Sequence, residues 1–112
     1  MLFRIDFELG IYPDRVQVAD RRSGRFVDFK SEIPFSAQGK LIADPRYLEY
    51  ALVKAMRKVM SGGFILLDAK VKVLPTAPAL RRSERDAVVD ALRNIGFKAI
   101  RFESDHPSPI AA

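Results

Sequence analysis

The order of hydrophobic patterns along this chain constrains its fold more than any other feature of the sequence. Three segments with apolar residues at every second position come first, and helical, extended, helical and extended patterns follow. An order of β-β-β-α-β-α-β with right-handed crossovers predicts an α/β domain, in which helices pack on a mixed sheet. We expect five strands in the order 3-2-1-4-5.

The first three segments predict an antiparallel meander. Residues 2–9 alternate between apolar and charged side chains, which is typical of a half-buried strand. Turn-forming residues at 10–14 separate this strand from a second one around 16–18. A polar turn at 20–24, whose glycine can take a positive φ, leads to a third strand at 26–29.

A helix is predicted from Asp44 and Pro45 to about Met60. The aspartate can cap free N–H groups, and proline is well tolerated in the first helical turn. Apolar residues keep helical spacing and should be buried: Leu48, Leu52, Ala55, Met56 and Val59. We interpret Ser61–Gly63 as a helix stop, because it lacks the lysine spacing of a phosphate-binding loop and no helix starts after it.

The rest of the chain predicts a strand, a helix and a last strand. Residues 64–75 form an apolar run that is typical of a central strand, and Ser83 can cap a helix that ends near Gly96. Residues 97–102 predict the fifth strand. We therefore expect one domain over 1–103 and a flexible tail over 104–112.

Composition indicates a globular protein and excludes several classes of site. The 112 residues are 48% apolar and 29% charged, with a formal net charge of +5 and no cysteine. Disulfides, thiol nucleophiles and thiolate metal sites are therefore excluded. The start is charged too early for a signal peptide, and no apolar run reaches the ~18–20 residues of a spanning helix. We expect a cytoplasmic protein without a transmembrane segment.

The predicted element order is that of the ribonuclease-H-like fold, the unit duplicated in actin and in sugar kinases. Five short segments also resemble the MreB family of bacterial actin homologues: residues 7–18, 39–44, 71–75, 84–88 and 102–103. The resemblance covers most of the chain and implies an actin-like half-domain that corresponds to the first half of that family.

At the nucleotide-binding turn, the chain departs from the family pattern. In the family, an aspartate organises metal and water near the phosphates and a threonine contacts phosphate. The matching positions here are Glu8 and Ile11, on either side of Gly10. Isoleucine has no hydrogen-bonding group, and one half lacks the opposed hairpin that completes the phosphate cradle. We expect a vestigial turn, with no catalytic residue and no bound cofactor.

Other chemistry has weaker signals. A ribonuclease-H-like nuclease needs carboxylates that hold two metal ions, and Asp6, Glu49 and Asp68 are the candidates. Asp6 can equally be a surface acid, and Asp68 falls near the start of its strand, away from the edge where such a site lies. His106 lies in the tail without a convincing nucleophile partner. We expect no metal site.

Two arginine clusters could bind the phosphates of nucleic acid or anionic lipid. They are Arg21, Arg22 and Arg25 in a turn, and Arg81, Arg82 and Arg85 at the start of the second helix. Both can equally be solvated surface, and most aromatic residues are expected on core faces.

The sequence therefore favours a non-catalytic structural or interaction module with a protein partner or self-association. A small nucleic-acid-binding or nuclease-like domain, using Arg21, Arg22 and Arg25 with Asp6, is the alternative.

Overall fold

The computed structural model describes residues 5–60 and 69–103 as an α/β domain. Within these residues, seven elements follow in chain order: β1 (Ile5–Tyr12), β2 (Arg15–Asp20), β3 (Phe26–Lys30), α1 (Pro45–Met60), β4 (Ala69–Val73), α2 (Arg82–Ile95) and β5 (Ala99–Phe102). This order confirms the predicted sequence of strands and helices. The expected tail, His106, Asp68 and the Ser61–Gly63 stop lie outside the described residues.

The strands form one mixed sheet in the order β3-β2-β1-β4-β5, as predicted. β2 pairs antiparallel with both β1 and β3, so the first three strands are the expected meander. β4 pairs parallel with β1 and with β5, which requires α1 and α2 as crossover helices. The narrower ribonuclease-H-like assignment remains a prediction.

Both helices contribute to a single core on one face of this sheet. Each strand turns alternate residues towards it, as Phe7, Leu9 and Ile11 of β1 do. The apolar stripe predicted for α1 is confirmed, because all five of its residues are buried. In α2, Val88, Ala91 and Leu92 are buried, and Ala87 and Ile95 pack against the core with partial exposure.

Element boundaries differ from the sequence-based expectation at three places. β1 continues through Gly10 to Tyr12, so the β1–β2 turn is reduced to Pro13 and Asp14. Phe97 does not start β5 but is buried, with its ring centroid 5.9 Å from that of Phe7. The N-cap of α2 is Arg81, so Ser83 lies inside the first turn of the helix and does not cap it.

Candidate functional site

The crossover topology brings several loops to one edge of the sheet. β1, β4 and β5 run parallel, and their carboxyl ends lie at this edge together with the β1–β2 turn and the starts of both helices. Open α/β sheets bind ligands outside the carboxyl ends of their strands. We therefore expect a ligand site, if the sheet has one, among the residues at this carboxyl edge.

The residues of the predicted nucleotide turn, Glu8, Gly10 and Ile11, lie within β1, and Ile11 faces the side of the sheet opposite to the other two. Ile11 is 1% exposed and points into the core below the helices. Glu8 lies on the opposite face, where its carboxylate forms an ion pair with Lys72 Nζ at 3.2 Å. Gly10 lies under the Tyr12 ring, so a Cβ at position 10 would stand 2.9 Å from that ring. The strand geometry therefore does not bring Glu8 and Ile11 to one ligand.

Asp14, predicted from the sequence only as part of a turn, organises the carboxyl edge. It adopts a left-handed φ of 56°, which aspartate tolerates better than most residues. Its carboxylate accepts hydrogen bonds from the backbone N–H groups of Phe35 (2.9 Å) and Ser36 (2.8 Å). The loop after β3 is thereby tied to the β1–β2 turn, and this carboxylate already has two donors from the chain itself.

Glu84 is the buried carboxylate of the described residues, with 4% exposure. It accepts hydrogen bonds from the backbone N–H of Ile42 and of Arg81, both at 2.9 Å. Burial by itself raises the pKa of Glu84, but these two N–H donors and the nearby charges of Arg81 and Lys40 outweigh it and hold the pKa below its ordinary value. Glu84 therefore acts as an ionised clamp that joins the start of α2 to the segment before α1.

Three arginines at the turn between β2 and β3 form one cluster at the opposite, amino edge of the sheet. Arg21, Arg22 and Arg25 are exposed there, and the carboxylate of Asp20 accepts a hydrogen bond from the Arg22 backbone N–H at 2.9 Å. Burial raises the pKa of Asp20, but bonds from the backbone of Arg22 and from the Ser23 hydroxyl and backbone bring it below its ordinary value.

The second arginine cluster lies at the carboxyl edge, so the topology separates the two clusters by the length of the sheet. Arg81 and Arg82 are exposed at the start of α2. The Arg85 guanidinium lies 4.4 Å from the centroid of the Phe102 ring, a cation–π distance that ties α2 to β5. The six arginines therefore do not form one continuous anion-binding surface.

The candidate metal ligands are also separated. Asp6 lies in β1, on the sheet face away from the helices, whereas Glu49 belongs to α1 on the helix-covered side. Glu49 accepts a hydrogen bond from Asn94 Nδ2 at 3.1 Å. Over residues 5–60 and 69–103, no three acidic or histidine side chains group in a way that could hold a metal ion.

The second face of the sheet is covered by neither α1 nor α2, and we call it the open face. Lys72 bridges Glu8 and Glu103 there, with the second Nζ–O distance at 3.4 Å. Phe26, on the same face of β3, is 59% exposed, and Tyr12 is 41% exposed. The open face thus combines an ion-pair ladder on β1 and β4 with two exposed aromatic rings.

Two more aromatic residues are exposed where the sequence analysis expected mostly buried ones. Tyr47 and Tyr50 of α1 are 37% and 41% exposed, on the side of the helix opposite its buried stripe. On a helical wheel both tyrosines lie away from Leu48 and Leu52, so the sequence itself indicates that they are exposed. None of the helices in the described ranges is long and apolar enough to span a membrane.

Comparison with known proteins gives this chain no family. No protein-family model matches it, and a search of curated proteins finds no match.

Proposed function

We propose that this chain is a non-catalytic protein-interaction module, built as an actin-like half-domain of the ribonuclease-H-like fold and related to the MreB family. The order and pairing of its strands are compatible with that fold. Three of the resembling segments coincide with regular elements: residues 7–18 cover most of β1 and β2, residues 71–75 run from β4 to Pro75, and residues 84–88 belong to the first half of α2.

The observation that carries the non-catalytic part of this proposal is the arrangement of β1. Phosphoryl transfer depends on preorganised charges and donors that converge on the phosphates. Glu8 and Ile11 lie on opposite faces of the sheet, and Ile11 is sealed in the core. The chain's own Lys72 pairs with Glu8, so this acid is engaged within the fold.

The open face supports the interaction part. Parallel strands are usually covered on both faces, and here β1, β4 and β5 have helices on one face within the described part of the chain. Phe26 and Tyr12 both stand on this face, with the Tyr12 ring over Gly10 and with Phe26 opposite Ala19 in the strand register. Exposed aromatic rings are typical anchors of protein interfaces. A second copy of the chain is the partner we would test first.

A titration with ATP and Mg²⁺, followed by backbone amide chemical shifts of the full chain, tests the non-catalytic claim. We expect no saturable shifts at residues 8–12. Saturable shifts there, accompanied by release of inorganic phosphate, would overturn the proposal.

Sedimentation velocity over a range of protein concentrations tests self-association. We expect association that Phe26→Ser weakens, because this change removes an exposed ring without touching the core. Tyr50→Ala, which removes a 41% exposed ring from α1 on the other side of the sheet, is the matched control and should leave association unchanged. A chain that stays monomeric at every concentration would remove the second copy as the partner.

A further inference from the structure

The outward side of α1 carries a continuous basic and aromatic stripe. Arg46, Tyr50, Lys54 and Arg57 follow one another at spacings of four, four and three residues, which places them along one side of the helix. Tyr47 flanks this stripe. We call these five residues the α1 outer face; its rise from Arg46 to Arg57 is about 16 Å.

One acidic residue of α1 lies beside this face. α1 has four basic residues and one acidic residue, Glu49, which lies to the side and bonds with Asn94 of α2. Among residues 5–60 and 69–103, no ion pair joins Arg46, Lys54 or Arg57 to an acid. The face therefore carries a net positive charge and is complementary to an anionic partner.

The tyrosines are placed for a partner outside the fold. Tyr47 and Tyr50 are each more than one-third exposed, and Lys54 Nζ lies 5.3 Å from the centroid of the Tyr50 ring. A basic groove or stripe with accessible aromatic rings is the arrangement by which proteins bind single strands, because cations track the phosphates and rings stack on unpaired bases.

We propose that the α1 outer face binds single-stranded nucleic acid through Arg46, Lys54 and Arg57 on phosphates and Tyr47 and Tyr50 on bases. This surface is distinct from the two arginine clusters and goes beyond the proposed interaction module. A lipid surface is disfavoured, because a membrane-surface helix buries its apolar side in the bilayer and the apolar side of α1 is used in the core. Bases also account for the tyrosines, which an acid-rich surface alone does not require.

Fluorescence anisotropy of the full chain with a labelled oligothymidylate of about 12 nucleotides tests this proposal, a length within the ~4–16-nucleotide range of small single-strand sites. With three phosphate contacts, the affinity should fall by about 20-fold between roughly 50 and 200 mM salt. Tyr50→Ala should weaken binding by about fivefold or more, and Tyr50→Phe should retain it, because stacking needs the ring and not the hydroxyl.

Charge-reversal variants with a matched control test whether the oligonucleotide binds the α1 outer face. Arg46→Glu combined with Arg57→Glu changes one first-turn and one last-turn arginine of α1 and should reduce affinity at least about tenfold. Arg82→Glu combined with Arg93→Glu makes the same change in charge at equivalent positions of α2 and should reduce it by no more than about threefold. Circular dichroism melts of both variants check that each remains folded.

Several outcomes would overturn the proposal. These are no oligonucleotide binding at low salt, equal losses in the two double variants, or no effect of Tyr50→Ala. Binding to phosphatidylserine vesicles or to an acidic peptide without binding to the oligonucleotide would assign the α1 outer face to a different partner. Equal affinity for duplex and single strand would also contradict the role of the tyrosines.

Discussion

Helices α1 and α2 pack beside each other on the same face of the sheet, but they present different charges to solvent. α2 carries three basic and three acidic residues, and Asp86 and Asp90 stand four and three residues from Arg82 and Arg93. These spacings place opposite charges next to each other on a helix surface. α1 carries four basic residues and one acidic residue, Glu49. Glu49 stands three residues from Arg46, but Lys54, Arg57 and Lys58 have no acid of α1 at a spacing of three or four residues.

The two helices also differ in what holds their first turns. α2 is joined to the segment before α1 by the buried carboxylate of Glu84, which accepts backbone N–H groups from both. α1 starts with Asp44, whose carboxylate accepts hydrogen bonds from the exposed backbone N–H groups of Arg46 and Tyr47. Glu84 of α2 thus serves the fold, whereas Arg46 and Arg57 of α1 take part in no ion pair within residues 5–60 and 69–103.

The buried sides of the two helices should contribute equally to the free energy of unfolding. Substitutions there should have the largest effect on stability. Leu52 of α1 and Leu92 of α2 are each fully buried. Replacing either with alanine should lower the free energy of unfolding by about 2–5 kcal/mol, because it removes apolar contacts and leaves a cavity. Urea denaturation measures both. If one variant loses less than about 1 kcal/mol, the two helices do not share one core equally.

The clamp of α2 predicts the next largest effect. Glu84→Ala leaves the backbone N–H groups of Ile42 and Arg81 without their acceptor, and should cost about 2–4 kcal/mol of unfolding free energy. The matched change in α1, Glu49→Ala, removes one exposed side-chain hydrogen bond and should cost less than about 1 kcal/mol. Similar losses in the two variants, measured by urea denaturation, would contradict the contrast between the helices.

Much of the fold could be predicted because it depends on hydrophobic period. The alternation in β1 and the helical stripe of α1 determine which side chains can be buried, and the connection order then limits the sheet to few topologies. The bounds of α1 were predicted for the same reason, since Asp44 and Pro45 mark its start.

The polar anchors could not be predicted, because each depends on a contact distant in sequence. Glu84 meets Ile42 across 42 residues, and Asp14 meets Ser36 across 22. From the local sequence alone, Ser83 near a helix start is the better candidate cap. The role of Glu84 becomes clear only when the loop before α1 gives it a second N–H donor. The exposed Tyr47 and Tyr50 were missed for a different reason: assigning aromatic rings to the core disregarded their position opposite the leucine stripe.

Acid pH should weaken the α2 clamp. The folded-state pKa of Glu84 and of Asp20 lies below the ordinary value, so the unfolded chain binds more protons at acid pH. The stability from Glu84 is therefore complete above its ordinary value of 4.5 and is lost as the pH falls through the lower folded value.

Unfolding free energies measured in urea at a series of pH values check this expectation. Glu84→Gln should have a shallower dependence of stability on pH than the parent chain, because the residue no longer titrates. Asp20→Asn should reduce the remaining slope at a lower pH, below the ordinary aspartate value of 3.8. An unchanged slope in Glu84→Gln would show that other carboxylates control acid stability.

The cation–π contacts of Arg85 and Lys54 should give the smallest difference; α1 also has a contact with another element, between Lys58 Nζ and the Phe29 ring at 5.3 Å. Arg85 of α2 lies 4.4 Å from the centroid of the Phe102 ring and so connects two elements. Arg85→Met keeps much of the apolar stem and should cost about 0.5–1 kcal/mol, whereas Lys54→Met, at the 5.3 Å contact with Tyr50 inside α1, should cost less than about 0.5 kcal/mol. A double-mutant cycle with Phe102→Leu isolates the Arg85 contribution in urea denaturation.

The direction of this small difference decides what Lys54 does. If Lys54→Met destabilises the fold as much as Arg85→Met, the charge of Lys54 contributes to stability and needs no partner. If Lys54→Met leaves stability unchanged and weakens oligonucleotide binding, the charge of Lys54 acts outside the fold. The second result is the one we expect, because Lys54 and Tyr50 belong to the same helix and their contact joins no other element to it.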